Sequence, residues 1–162
     1  MGNRVGLART QALIENLKRE LQMNGSSLSG VKDGVVALTA DKTLTALDSG
    51  RIITIDCTST GVDVTLPAAA KGLYYKFVVV ENTPSNAATI VATSTLCFGS
   101  VLADFNGTLS VVANTTPGTG FTTATITTTT EQGSYLEYRC DGTNWYVNGS
   151  GTDASAIWVA YS

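Results

Sequence analysis

Between residues 51 and 161 the sequence is a series of short β-branched and aromatic runs separated by Gly, Pro, Asn and Asp. Runs of this length and composition are typical of strands, and the residues between them are those that turns require. We therefore expect a mainly β fold, an antiparallel β sandwich or barrel of about eight to ten strands. The predicted strands are RIITIDC, VDVTL, LYYKFVVVE, ATIVAT, TLSVVA, FTTATITTTT, YLEYRC, NWYVN and AIWVAY.

Two of these runs indicate how side chains are divided between the faces of a strand. In YLEYRC the residues alternate, so Leu136, Tyr138 and Cys140 cannot share a face with their neighbours Tyr135, Glu137 and Arg139. The run KFVVV has no such alternation, which favours a central strand covered on both faces.

The segment RVGLARTQALIENLKRELQ, residues 4–22, is the one predicted helix. Leu7, Ile14, Leu21 and Leu28 are seven residues apart and Leu17 occupies an intermediate position, which is a coiled-coil pattern of about three heptads. Such an amphipathic helix either packs on its own domain or associates through these five residues. A lone helix of this length is marginal in water, which favours association with a second copy or with a partner.

A hinge-like segment, NGSSLSGVKDG, follows the helix and divides the chain. The predicted organisation is a helical arm (residues 1–24), a linker (25–37) and a β domain (38–162). Charge is also divided, because residues 1–32 carry a net charge of +3 and the remainder carries −6. A cationic arm suits an acidic partner, although the asymmetry also fits chance in so few charges.

Residue composition argues against catalysis and cofactor binding. The chain has no His, which removes the commonest general base and His-activated nucleophiles. Its three cysteines form no C-x-x-C pair and are predicted to be small buried hydrophobic residues. We expect no enzyme activity, no catalytic residue, no cofactor and no metal site, with a Ca²⁺ site on turn Asp and Asn side chains left open. The acidic body disfavours nucleic acid, and no apolar run approaches the ~20 residues of a membrane span.

The segment CDGTNWYVNGSG, residues 140–151, predicts an aromatic hairpin. Asp141 and Gly142 allow the chain to reverse in a two-residue turn, or within a four-residue loop that ends at Asn144. Trp145 and Tyr146 must then point to opposite faces, one toward a core or interface and the other more exposed. The hairpin is either scaffold, with Trp145 as an apolar anchor, or a binding site that uses Asp141 and Asn144.

A second surface feature is the run TTATITTTT, residues 122–130. As a strand it would place Thr123, Thr125, Thr127 and Thr129 on one flat face. We expect this face to be exposed or buried between subunits, rather than to bind ice, because there is a single ladder.

Two stretches resemble the β domain of tailed-bacteriophage virion proteins, namely capsid decoration (cement) proteins and head fibres of a type common in cyanophages. They are LTADKTLTALDSGRIITIDCTSTGVDVTLPAAAKGLYYKFVVVEN and GSYLEYRCDGTNWYVNGSG, which together lie within residues 38–151. The shared elements are the LTALDSG entry, the VTLPAAAKGLYYKFVV core and the DGTNWYV hairpin. No catalytic motif is part of the resemblance.

The resemblance implies a structural protein that binds the exterior of a phage head as a homotrimer and stabilises it. Its partners would be its own copies and the major capsid protein, with no nucleic acid and no membrane. It would be made in the cytoplasm of a host bacterium and located on the virion. The alternative is a head-fibre or tail-fibre domain that binds host surface glycans through exposed aromatic residues such as Trp145, Tyr146 or Trp158.

Overall fold

The computed structural model describes residues 6–19, 34–81, 84–93, 95–105, 108–113, 120–151 and 157–160. The chain divides into two units, residues 1–32 and 33–162. In the first unit one α-helix, α1, spans Leu7–Arg19. Within the described residues no helix has the length and apolar character needed to cross a membrane.

The second unit contains twelve described strands and a short 3₁₀-helix, Ala46–Asp48. The strands are β1 Val35–Leu38, β2 Lys42–Thr43, β3 Ile52–Ile55, β4 Val62–Thr65, β5 Tyr74–Val79, β6 Ala88–Val91, β7 Cys97–Phe105, β8 Thr108–Ala113, β9 Thr123–Ile126, β10 Tyr135–Cys140, β11 Trp145–Gly151 and β12 Ile157–Ala160. They form a seven-stranded sheet in the order β1-β3-β5-β10-β11-β7-β8, here the first sheet. The second sheet has five strands in the order β12-β9-β6-β4-β2.

The first six strands wind alternately through the two sheets. Odd-numbered β1, β3 and β5 lie side by side in the first sheet, and β2, β4 and β6 lie side by side in the second. Neighbours in each set are parallel, because a strand that returns after a full turn of the winding runs in the same direction. The later strands add antiparallel pairs, while β7 joins β11 in parallel. The fold is mainly β, as predicted, but the expectation of an antiparallel arrangement was wrong because both sheets are mixed.

Buried side chains from both sheets form one hydrophobic cluster. Strands alternate between buried and less buried positions, as in β10, where Leu136, Tyr138 and Cys140 lie on one face as predicted, and that face is the buried one. The first sheet contributes large aromatic side chains, Tyr75, Phe77, Tyr138 and Trp145. The second sheet contributes small aliphatic ones, Val62, Val64, Ala88, Ile90, Ala124 and Ile126.

Strand β5 differs from its prediction as a strand covered on both faces. It is central in the first sheet, lying between β3 and β10. Tyr75, Phe77 and Val79 are buried, but Tyr74, Lys76 and Val78 on the other face are only half-buried. A face that carries a Lys and a Tyr in its middle is therefore partly open to solvent.

Strand β7 is absent from the predicted set because its sequence, CFGSVLADF, contains a glycine that does not suit a strand. Gly99 has φ +151°, and a Cβ at this position would lie 1.7 Å from the Val147 carbonyl oxygen. Only glycine allows β7 to approach β11 this closely. Tertiary packing therefore decides the strand.

Two predicted boundaries also shift. The strand predicted over FTTATITTTT is shorter, since β9 spans only Thr123–Ile126. At the start of the sheet, β1 begins at Val35, within the last three residues of the segment 25–37 assigned to a linker.

Candidate functional site

The aromatic hairpin turns through a four-residue loop, residues 141–144, between β10 and β11. The Asp141 carboxylate closes it: Oδ1 accepts hydrogen bonds from the backbone N–H groups of Thr143 (2.7 Å) and Asn144 (2.8 Å). These bonds favour the charged carboxylate and hold the pKa of Asp141 below its ordinary value. Gly142 has φ +107°, a backbone conformation that residues with a Cβ rarely adopt. Asp141 and Gly142 therefore shape the turn.

Trp145, the first residue of β11, is fully buried, with 0% of its surface exposed. Its ring centroid lies 5.8 Å from that of Tyr75 and 6.4 Å from that of Tyr138. A ring enclosed in this way is a core anchor and cannot stack on a ligand, so Trp145 is unsuited to the glycan-binding role considered for it. Trp158 lies in β12, opposite Thr125 of β9.

Tyr146 faces away from the core and is 49% exposed. Its hydroxyl donates a hydrogen bond to Oδ2 of Asp141 at 3.0 Å, and this bond raises the pKa of Tyr146. Tyr146 lies opposite Arg139 of β10, and Arg139 lies opposite Tyr74 of β5. Three neighbouring strands thus carry a tyrosine–arginine row, defined as Tyr74, Arg139 and Tyr146, on the outer face of the first sheet.

The Glu137 carboxylate organises the cations around this row. Its two oxygens lie 3.3 Å from Lys76 Nζ and 3.5 Å from an Arg139 guanidinium nitrogen. Each cation also packs on a ring: Lys76 Nζ is 4.7 Å from the centroid of Tyr135, and the Arg139 guanidinium is 5.3 Å from that of Tyr74. Burial, and then the negative charge of Glu137, raise the pKa of Tyr74. The side chains of Lys76, Glu137 and Arg139 are therefore linked to each other and to neighbouring rings on this face.

A cleft of about 280 Å³ opens beside the row. Its lining is Gly72, Leu73, Tyr74, Arg139 and Cys140, so β5, the turn before it and the end of β10 form its walls. Sequence reasoning did not find this cleft. The alternation in YLEYRC did place Tyr135, Glu137 and Arg139 together, but nothing in the sequence shows that β5 lies beside β10.

The outer face of the second sheet is different in character. Asp63, Thr89 and Thr125 form one row across β4, β6 and β9, and Thr65, Val91 and Thr123 form the next. The predicted four-threonine ladder does not extend along one strand, because β9 ends at Ile126 and Thr127 opens a turn. The described face is instead built from several strands, with β9 paired on both sides.

The helix residues predicted to associate are only partly described. Leu7, Ile14 and Leu17 lie in α1, whereas Leu21 and Leu28 lie outside the described residues. Leu7 is 76% exposed and Leu13, which is not part of the predicted heptad set, is 60% exposed. Large apolar side chains at the surface of α1 are available for a partner.

Other reactive groups in the described residues form no evident site. Cys57, Cys97 and Cys140 are free and buried, as predicted, and burial raises the pKa of Cys97 to about 12. Such a thiol is not activated as a nucleophile at neutral pH. Within the part of the chain that the structure describes, no three His, Cys, Asp or Glu residues come together as metal ligands.

We compared the chain with models of known protein families and with curated proteins. No family model and no curated protein matches it.

Proposed function

We propose that this chain is a structural virion protein, a capsid decoration protein that binds the exterior of a phage head as a homotrimer. The observation that carries the proposal is that two carboxylates of the described body are engaged in ion pairs within the fold. Asp48 pairs with Lys42 and Arg51, and Glu137 pairs with Lys76 and Arg139. We further propose that the two sheets pack as a β sandwich, whose core would make such a body stiff.

A decoration protein acts by adhesion rather than by chemistry. A protein that binds the assembled shell and not its separated subunits shifts the equilibrium toward the shell. Many copies, each bound weakly and each bridging neighbouring capsid subunits, add their effects. In this proposal the partners are two further copies of the chain and the major capsid protein.

The helix would supply one of the two attachments. Leu7 and Leu13 in α1 are exposed. They would be covered either by the helices of two further copies or by the capsid surface. The net charge of +3 over residues 1–32 favours an acidic partner surface.

Imaging and mass measurements test the proposal. Electron microscopy of virions with and without the protein should show density on the capsid exterior that disappears with the protein. Light scattering of the purified full chain should give the mass of three copies. A monomer with no affinity for phage capsids would overturn the proposal.

The role of the helix is tested with the double variant Leu7→Ser, Leu13→Ser. Thr10→Ser in the same helix is the matched control. If α1 trimerises the chain, the double variant lowers the oligomer mass; if α1 docks on the shell, capsid binding falls while the mass stays the same. No change in either measurement would show that the helix does neither.

A second function, a fibre domain that binds host surface glycans, is favoured by one observation. In the tyrosine–arginine row Arg139 and Tyr146 are exposed and Tyr74 is half-buried, and each makes a side-chain contact within the sheet. Tyr and Arg are enriched in recognition surfaces because they bury large area at a small entropic cost. Recognition would use Tyr146 and Tyr74, since Trp145 is buried.

A further inference from the structure

The side chains of the tyrosine–arginine row are already ordered by contacts within the sheet. The Arg139 guanidinium packs over the Tyr74 ring and forms an ion pair with Glu137. The Tyr146 hydroxyl donates a hydrogen bond to Asp141 at 3.0 Å. A side chain that is already ordered loses less conformational entropy on binding. The Arg139 side chain is nevertheless 68% exposed, so its guanidinium remains accessible from solvent.

The excess of positive charge near the row favours an anionic ligand. Residues 33–162 contain five cations, of which Arg139 lines the cleft. Two more lie on neighbouring residues: Lys76 on β5, paired with Glu137, and Lys71 in the turn against Gly142. The carboxylates beside them are Glu137 and Asp141, so this region carries a net charge of +1 on a body of net −6. An excess this small suits a single negative charge better than a dianion, which Glu137 and Asp141 would repel.

The polar groups of the cleft narrow the ligand further. The backbone groups that line it are already paired: Gly72 N–H donates to the Cys140 carbonyl at 3.0 Å, and Cys140 N–H donates to the Leu73 carbonyl at 2.9 Å. No nest of free backbone N–H groups of the kind that binds phosphate is present in this lining. The Arg139 fork is the main charged donor, and a carboxylate matches its geometry.

Cleft size and wall chemistry indicate what carries the carboxylate. Its volume of about 280 Å³ is at the lower limit of the ~300–1,000 Å³ of sites for drug-sized ligands, so it accommodates one small ring. Leu73 and Tyr74 line it next to Arg139, so apolar side-chain carbon lies beside the charged group. A sugar ring with a carboxylate is complementary to this lining, because its carboxylate can pair with Arg139 and its ring carbons can contact Leu73 and Tyr74.

We infer that the cleft beside Tyr74, Arg139 and Tyr146 binds uronate residues of an acidic polysaccharide, with Arg139 holding the carboxylate and Tyr74 contacting the ring. This inference rests on the second candidate function, glycan recognition, and does not depend on a position on the capsid. Each cleft takes one residue of the polymer, so display of several copies would raise the overall affinity.

The test uses the full-length chain and a galacturonic acid tetramer, with its methyl-esterified form as the neutral match. Binding is followed by saturation-transfer NMR and by calorimetric titration. We expect the tetramer to bind and the ester to bind at least about tenfold more weakly, because esterification removes the charge that Arg139 pairs. Arg139→Gln should weaken binding of the tetramer by about tenfold or more, and Arg139→Lys should lie between it and the original protein, because Lys keeps the charge but not the fork.

Controls separate site binding from general charge and from misfolding. Lys42→Gln removes one cation on the second sheet and should leave the affinity unchanged. Thermal unfolding of each variant checks that the fold is retained, and Tyr146→Ala provides a second, exposed position beside Arg139 that should also weaken binding.

Three results would overturn the inference. Equal binding of the tetramer and its ester would leave glycan recognition standing and remove the acidic ligand. If Arg139→Gln and Lys42→Gln reduced the affinity equally, binding would depend on the overall charge of the protein and not on the cleft. No binding of either sugar at millimolar concentration would remove the inference, and would leave capsid decoration and recognition of other glycans untouched.

Discussion

The two sheets of the β unit make opposite uses of side-chain size in the core. The first sheet presents Tyr75, Phe77, Tyr138 and Trp145, whose rings meet at centroid distances of 5.6–6.4 Å. The second sheet presents only valine, isoleucine and alanine among its described buried strand positions. Large rings on one side and small side chains on the other can fill a core without voids.

The outer faces of the two sheets also differ in side-chain size and charge. The first sheet carries tyrosines, Lys76, Glu137 and Arg139, joined by ion pairs and cation–π contacts. The described outer face of the second sheet carries mostly threonine. Charged and aromatic side chains are therefore concentrated in the first sheet, and hydroxyl and small aliphatic side chains in the second.

Replacing Trp145 with alanine should have the largest effect. Loss of a fully buried indole that packs on Tyr75 and Tyr138 should lower the free energy of unfolding by about 3–5 kcal/mol. The matched truncation on the second sheet, Ile90→Ala, should cost about 2–5 kcal/mol, and we expect it to lie below the loss for Trp145 because fewer buried atoms are removed. Urea unfolding followed by circular dichroism measures both, and equal losses would show that the sheets contribute alike.

Asp48→Asn tests the connection that leads from the second sheet to the first. The Asp48 carboxylate accepts hydrogen bonds from Thr45 N–H (3.0 Å) and Oγ1 (2.9 Å) and pairs with Lys42 and Arg51. The backbone bond from Thr45 is the main cause that lowers the pKa of Asp48. We expect a loss of about 1–2 kcal/mol at pH 7, because these bonds involve a charged acceptor.

The effect of Asp48→Asn should depend on pH. Because the folded pKa is below the unfolded value of about 3.9, the stabilisation is complete above the unfolded pKa and is lost as pH falls through the folded pKa. The stability difference between the original chain and the variant should therefore shrink between about pH 5 and pH 2. A difference that stays constant over that range would contradict the role of the charge.

Tyr75→Phe and Tyr138→Phe separate two buried hydroxyls on the inner face of the first sheet. The Tyr75 hydroxyl donates to the Thr45 carbonyl at 2.8 Å, whereas that of Tyr138 is buried without a hydrogen-bond partner in the described part of the chain. Tyr75→Phe should cost about 1 kcal/mol, and Tyr138→Phe should cost nothing or raise the stability. Thermal unfolding of both variants gives the comparison, and a larger loss for Tyr138→Phe would reverse the assignment.

Thr125→Ala should have the smallest effect. Thr125 lies on the outer face of the second sheet and is half-buried, with Thr89 and Trp158 opposite it. A change at such a position should alter the free energy of unfolding by no more than about 0.5 kcal/mol. A loss above 1 kcal/mol in urea unfolding would show that this face also stabilises the fold.

Local patterns predicted much of what alternation and turn chemistry control. The alternation in YLEYRC separated Leu136, Tyr138 and Cys140 from the opposite face of β10, and the structure shows that these three are the buried set. The Asp141–Gly142 pair indicated the loop, since both residues act locally on the backbone. Opposite exposure of Trp145 and Tyr146 follows from strand geometry, but which of them is buried depends on what the sheet packs against.

The sequence by itself determined that this chain forms short strands, where the hairpin turns, and that its cysteines are buried, because these properties depend on neighbouring residues and on hydrophobicity. Tertiary structure alone decided the parallel winding of β1–β6, the use of Gly99 to bring β7 against β11, and the meeting of Tyr74 with Arg139. Each of these brings together residues far apart in the chain. Strand pairing over such separations depends on the whole core and leaves no mark in the local pattern.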